Sequence, residues 1–197
     1  MKAIGGILAA VIIGAIVMMF AGHMNSVPTL DESAKASWAQ VQNQYQRRAD
    51  LIPNIVATVK GYASHEKEVL VGVTEARAKV GQMNITPAVL NDPKAFAAFD
   101  KAQGELSSAL SRLMVVSERY PELKADKNFM ALQVQLEGTE NRITVARRDY
   151  IQRVQVYNLE LRTVPGRWVA AILYPDATVK ETFSAEPQSQ KAPTVAF

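Results

Sequence analysis

The sequence predicts an all-α protein, an N-terminal transmembrane helix followed by an antiparallel four-helix bundle. Three observations predict it. Ala3 to Gly22 is an uncharged, strongly apolar run; as a helix it extends roughly 30 Å, the thickness of a bilayer's hydrocarbon core. Downstream, apolar residues recur every third or fourth position through four stretches, the spacing of helices packed side by side at a shallow angle. Strand-like alternation is hardly seen there, and glycine is sparse.

The leading run reads as a retained anchor or as a cleaved signal. A signal needs a basic start, a short apolar core and small residues before the cut. Lys2 supplies the charge, but the run is long, and Met19 and Phe20 are bulky where small residues are wanted. A lipoprotein route needs a cysteine, and the chain has none. The anchor is the favoured reading. Lys2 precedes the run and only Lys35 follows closely, beside Asp31 and Glu32; by the positive-inside rule this leans toward a body outside the cytoplasm.

The first stripe is Leu30, Ala34, Trp38, Val41 and Tyr45. The second runs Ile52, Ile55, Val59, Tyr62, Val69, Val73, Ala76 and Val80, with Glu66 in the gap after Tyr62. The third is Phe96, Phe99, Ala102, Leu106, Leu110, Leu113 and Tyr120, with Ser117 between. The fourth is Phe129, Leu132, Leu136, Ile143, Ala146, Tyr150, Val154, Tyr157 and Leu161, with Thr139 between. Punctuation follows the stripes. Thr29 to Glu32 spells a capping box. Pro53 suits the first position of a helix. Gly81 is placed to end one. Asp92-Pro93 is a cap followed by a first-turn proline, while Tyr120-Pro121 and Val164-Pro165-Gly166 close helices. The predicted helices are about 29–50, 53–81, 93–119 and 126–163. At Pro53 a turn and a kink are both open; the turn is favoured, because four helices bury their stripes better.

Four regions result: an anchor over 1–24, the bundle over 25–164, an apolar segment over 165–183 and a flexible polar tail over 184–197. In an up-down bundle, helix four ends near the membrane that helix one leaves. Arg167 to Tyr174 is too short to span a bilayer. It suits either a cap over the open end of the bundle or, with Trp168 and Tyr174 flanking an apolar run and Arg167 and Lys180 nearby, a membrane interface. The tip, Pro193 to Phe197, suits a groove or a sheet edge, or else folds back.

No catalytic, cofactor-binding or metal-binding residue is predicted. His65-Glu66 lacks the second histidine of a zinc helix, and the other histidine, His23, adjoins the apolar run. No phosphate loop occurs; Gly5-Gly6 lies inside that run. A serine nucleophile would have only His65 or His23 as its base, with no orienting carboxylate identifiable. Glu137, Glu140, Asn141, Arg142, Arg147 and Arg148 crowd one stretch, but no Glu-x-x-His pattern of a di-iron bundle is present. These charges are expected to pair with Arg47, Arg48 or Glu75 beside the packing seam and so set register. The net charge is +3 with the signs mixed, which argues against nucleic acid as a partner.

Several runs stand out together: Trp38 to Val41; Gln44 to Asn54; Val59 to Glu66; Glu75 to Arg77; Tyr120 to Ala125; Leu136 to Ile143 with Ala146-Arg147-Arg148; and Tyr157-Asn158, Pro165 and Pro193 to Phe197. In these the chain resembles the LemA family over nearly its whole length. It departs at Met24, at Ile151 and at Leu173-Tyr174-Pro175. The resemblance implies a bacterial membrane protein with one N-terminal span and a four-helix bundle, and it supplies no activity. It also implies a short N-terminus outside the cell, opposite to the charge count, and partners among membrane proteases or envelope proteins. Together these readings give a non-enzymatic scaffold of the bacterial inner membrane, held by lipid around residues 3–22. It would bind envelope or membrane proteins, with self-association open. The alternative is a lipid-sensing protein that uses the segment after helix four.

Overall fold

In the computed structural model, residues 10–15, 18, 20, 22–83 and 86–184 are described. All regular structure among them is helical: α1 Ser26–Tyr62, α2 Lys67–Gly81, a 3-10 turn Pro87–Asn91, α3 Pro93–Glu118, the single turn α4 Pro121–Lys124, α5 Lys127–Arg162 and α6 Gly166–Leu173. The four bundle helices α1, α2, α3 and α5 run up, down, up and down. At the top, Tyr62 donates to Asp126 Oδ2 at 2.9 Å and Tyr120 to Glu66 Oε1 at 3.1 Å. At the bottom, Ser26 meets Glu160 at 2.6 Å.

The break between the first two helices lies at 63–66, not at Pro53. α1 passes straight through Pro53, which leaves the Ala49 carbonyl without its helical donor. Arg77 Nε on α2 donates to that carbonyl at 2.9 Å. With the defect repaired, Ile52 and Ile55 stay buried on one continuous face. The turn falls instead where the apolar spacing lapses, between Tyr62 and Val69, with Ser64 and His65 in the turn.

The start of α1 also differs from expectation. The chain is helical from Ser26, so Thr29 is inside the helix and its N–H donates to the Asn25 carbonyl at 3.1 Å. The predicted capping box is therefore absent. Pro28 is tolerated because the first turn needs no N–H donors. The Asp92 cap matches: its carboxylate accepts from Lys94 N and Ala95 N ahead of Pro93. Asp126 also caps α5, accepting from Phe129 N.

The core divides by height. The upper half is aliphatic, built on Ile52, Ile55, Val59, Val73, Leu106, Leu113 and Leu123. The lower half is aromatic, where Trp38 lies 5.3 Å from both Phe99 and Tyr150, centroid to centroid. α2 is short and ends at Gly81. The lower half is closed by the extended strap 177–184. Glu181 N donates to Leu90 O at 2.8 Å, Tyr150 donates to Glu181 O at 2.7 Å, and Phe183 is buried against Trp38, Phe96 and Tyr150.

Residues 10–15 are helical, with Val11, Ile12 and Ile13 exposed. Among the described residues no helix is long and apolar enough to cross a membrane. The transmembrane helix expected over 1–24 rests in large part on residues outside the described set, and the described residues do not support it. The tail beyond Ser184 and the tip Pro193 to Phe197 also lie outside it.

Candidate functional site

Charged side chains gather at two heights, a waist halfway up the bundle and the base below it. At the waist, Arg48 continues the buried stripe of α1 and is only 1% exposed. Its Nη1 donates to Ser107 Oγ at 2.7 Å and to Glu140 Oε1 at 3.0 Å. Its Nη2 reaches the Gln103 carbonyl at 3.4 Å and also the Gln103 side-chain oxygen. The guanidinium lies 5.0 Å from the Tyr45 ring centroid. Arg147, two turns beyond Glu140 on α5, pairs with Asp100 Oδ1 at 3.3 Å and donates to Tyr45 Oη at the same distance. It covers the Phe183 ring at 4.0 Å. Burial pushes the Tyr45 hydroxyl up, while the Arg147 and Arg48 charges oppose it. An open groove of about 550 Å³ runs over this cluster, with Thr144, Arg148 and Gln152 on its rim.

This arrangement pairs the buried Arg48 cation with Glu140 and ties α1, α3 and α5 together. It brings no nucleophile against a base. Of the expected pairings, Arg48 with Glu140 is present. Glu137 accepts from Gln133, Arg147 takes Asp100, and Arg148 takes Asp149. Asn141 and Arg142 line a second groove between α1 and α5. Arg47 and Glu75 are exposed, as is His65. Glu66 holds Arg119 at 3.3 Å besides Tyr120. Among the described residues, no three His, Cys, Asp or Glu side chains gather closely enough to hold a metal ion.

The base is built around Glu160, near the end of α5. Its Oε1 lies 3.2 Å from His23 Nδ1 and 2.6 Å from Ser26 Oγ. A serine, a histidine and a carboxylate thus meet, but the hydroxyl faces the Glu160 carboxylate and the His23 carbonyl, at 2.7 Å from the latter. That is a helix-end clasp, not a proton relay. Gly166 opens α6 against the same residue: a Cβ there would overlap the Glu160 carbonyl oxygen. α6 buries Val169 and Ala170 and leaves Trp168, Ile172 and Leu173 exposed at 49%, 68% and 43%. Beside it, Lys180 Nζ binds Asp31 Oδ1 at 2.6 Å and lies 4.8 Å from the Tyr157 ring centroid. Burial pushes the Asp31 carboxyl up, but Lys180 and Lys35 outweigh it and hold it below its usual 3.8.

Sequence reasoning did not find Gln103, Ser107, Asp100 or Phe183, and it set Lys180 beside a membrane interface, whereas Lys180 is buried against Asp31. Gln103 stands four residues after Phe99, a stripe position, and a polar residue at such a place was the available signal. The strap residues follow no periodic pattern and gave none.

The family model of the LemA family matches residues 37–197. The chain belongs to the LemA family. Among its relatives, the magnetosome protein MamQ 2 of Paramagnetospirillum magneticum is 26% identical over 164 residues, which covers 75% of this chain and 60% of that one. MamQ of Magnetospirillum gryphiswaldense is 24% identical over the same length, with the same coverage. Protein LemA of Metamycoplasma hominis is 21% identical over 151 residues, 77% of this chain and 65% of that one. The chain thus spans about 60% of the length of the MamQ proteins. The LemA match takes in the waist, the base helix and the strap together.

Proposed function

We propose that this LemA-family chain is a membrane-tethered, non-enzymatic helical platform. Residues 3–22 hold it in a bacterial inner membrane, with the body on the extracytoplasmic side, and its helix faces engage other membrane or envelope proteins. One observation carries this reading. The base of the bundle turns Trp168, Ile172 and Leu173 outward, close to the half-exposed Met24, where the apolar run joins α1. Tyr174 fastens this surface by donating to the Met24 carbonyl at 2.7 Å. A helix that only capped the bundle would leave less apolar surface exposed together. Tryptophan and tyrosine beside Arg167 suit the headgroup level of a bilayer. The ion pairs at the waist and base hold helices together, which favours a scaffold over a catalyst. The MamQ relatives are named for a magnetosome and not for a reaction.

The exposed face of α6 also favours a second reading, a lipid-sensing protein that uses this face directly. Vesicle binding tests both. The chain has two tryptophans, so Trp38→Phe leaves Trp168 as the sole indole emitter. In vesicles containing brominated lipid, the platform reading expects Trp168 emission in the full chain to be quenched by at least half. Unquenched emission from membrane-held chain overturns a lipid-facing base. The same variant lacking residues 1–24 separates the readings: it stays in solution if the apolar run is the anchor, and floats with acidic vesicles if α6 senses lipid.

A further inference from the structure

The strap fills the lower course of a channel that α3 and α5 form over α1, and it rises along that channel. Asn158 holds Lys180, donating to its carbonyl and accepting from its N–H, both at 2.9 Å. Tyr150, two turns higher on α5, holds the Glu181 carbonyl, and Arg147 covers the Phe183 ring. Phe183 itself lies against Phe96 of α3 and Trp38 of α1. Ile151, Arg147, Thr144 and Glu140 stand on the same face of α5 as Asn158, within about 40° at 100° per residue. Above Phe183 the channel is open. The waist groove of about 550 Å³ leads into another of about 530 Å³, and the two share Ser107 and Glu140. In the upper groove Leu110 and Leu136 are buried beside the half-buried Met114, and Ser111 and Glu137 are exposed at the rim.

We propose that residues 185–197 of the same chain continue the strap up this channel, and that their tip seats Val195 and Phe197 against Leu110, Met114 and Leu136. The strap sets the direction, because it reaches Ser184 at the lower mouth of the open groove while still climbing. Reach is ample. The 13 residues 185–197 extend up to about 43 Å, and the rise along α5 from Arg147 to Leu136 is about 16 Å. The slack falls in Gln188 to Lys191, polar residues that gain nothing from burial. In an extended tip Val195 and Phe197 point to one side, so both enter the groove while Thr194 and Ala196 face water. Charge agrees at the mouth. Glu186 follows Phe183 by three residues. Arg148, on the rim, is paired with Asp149 at 3.2 Å, but both are exposed, so that pair is weak and leaves Arg148 available to Glu186. The family match runs through residue 197 and so takes in this segment together with the strap and both grooves.

The chain has no cysteine, so single thiols report what covers the groove. Thr144→Cys and Ser111→Cys probe its lower and upper parts, both at exposed positions. Val71→Cys on α2, 52% exposed, is the control. Alkylation by a maleimide is timed in detergent micelles, in the full chain and in a chain that stops at Ser184. The tail is expected to slow both groove thiols at least fivefold and to leave the control within twofold. Val195→Asp with Phe197→Asp, made in the full chain so that the strap is untouched, should return Ser111→Cys to the rate of the shortened chain. Equal rates with and without the tail at both groove thiols overturn the proposal. So does protection that fades when the chain is diluted into excess micelles, because it assigns the groove to the tail of a second copy. The readout does not depend on how the chain meets a bilayer, so its failure is distinct from a failure of the tether.

Discussion

At Ala49 the backbone carbonyl would lack its helical donor, because Pro53, four residues on, has no N–H. A proline inside a helix costs about 3 kcal/mol, partly through that lost bond. Arg77 supplies a replacement from the neighbouring helix at 2.9 Å. Its net value as a charged donor is about 2 kcal/mol. A double-mutant cycle isolates it. Arg77→Ala should cost about 2 kcal/mol in the parent chain and less than about 0.5 kcal/mol when Pro53→Ala is also present, because the restored amide then serves the carbonyl. Urea midpoints of the four proteins measure the coupling; equal costs in both backgrounds would mean that Arg77 acts through something other than the proline defect.

An ion pair helps attach the strap. Lys180 is 5% exposed, and its ammonium is held by Asp31 and the face of Tyr157. Because Asp31 titrates below 3.8 in the folded chain, the unfolded chain takes up this proton first as pH falls. The stabilisation is therefore complete above the unfolded value and is lost as pH drops through the lower, folded one. Asp31→Ala is expected to cost about 2 kcal/mol at neutral pH, and the gap from the parent chain should close progressively below pH 3.8. A gap unchanged down to pH 2, by urea unfolding at each pH, would detach Asp31 from the acid limb. Elements differed in how legible they were. The stripes of α3 and α5 could be read because burial on one helix face imposes its period on the sequence: Phe96, Phe99, Leu106, Tyr150 and Val154 are all in the core. The course of α1 was misread because proline is a local signal, while its remedy, Arg77, lies 24 residues on in a different helix. The strap is extended and held largely by backbone bonds to Leu90, Tyr150 and Asn158, and such bonds leave little trace in side-chain pattern. The Arg48–Glu140 pair was foreseen among several alternatives; Gln103 and Ser107, which also accept from Arg48, were not.

At the scale of the whole molecule, one architecture links these parts. Two helices of about 55 Å rise antiparallel from a common base. α3 lines both halves, α2 covers the upper half and the strap the lower half. The waist joins three helices through Arg48, and the base turns its apolar residues outward beside the segment that leads to the Ala3–Gly22 run. Membrane attachment through that run is the claim on which the rest depends. The direct measurement is alkaline extraction of membranes from producing cells, followed by mass spectrometry of the N-terminal peptide. The tethered account predicts that the chain stays in the pellet with residues 3–22 intact. A chain recovered in the supernatant and beginning downstream of His23 would contradict it.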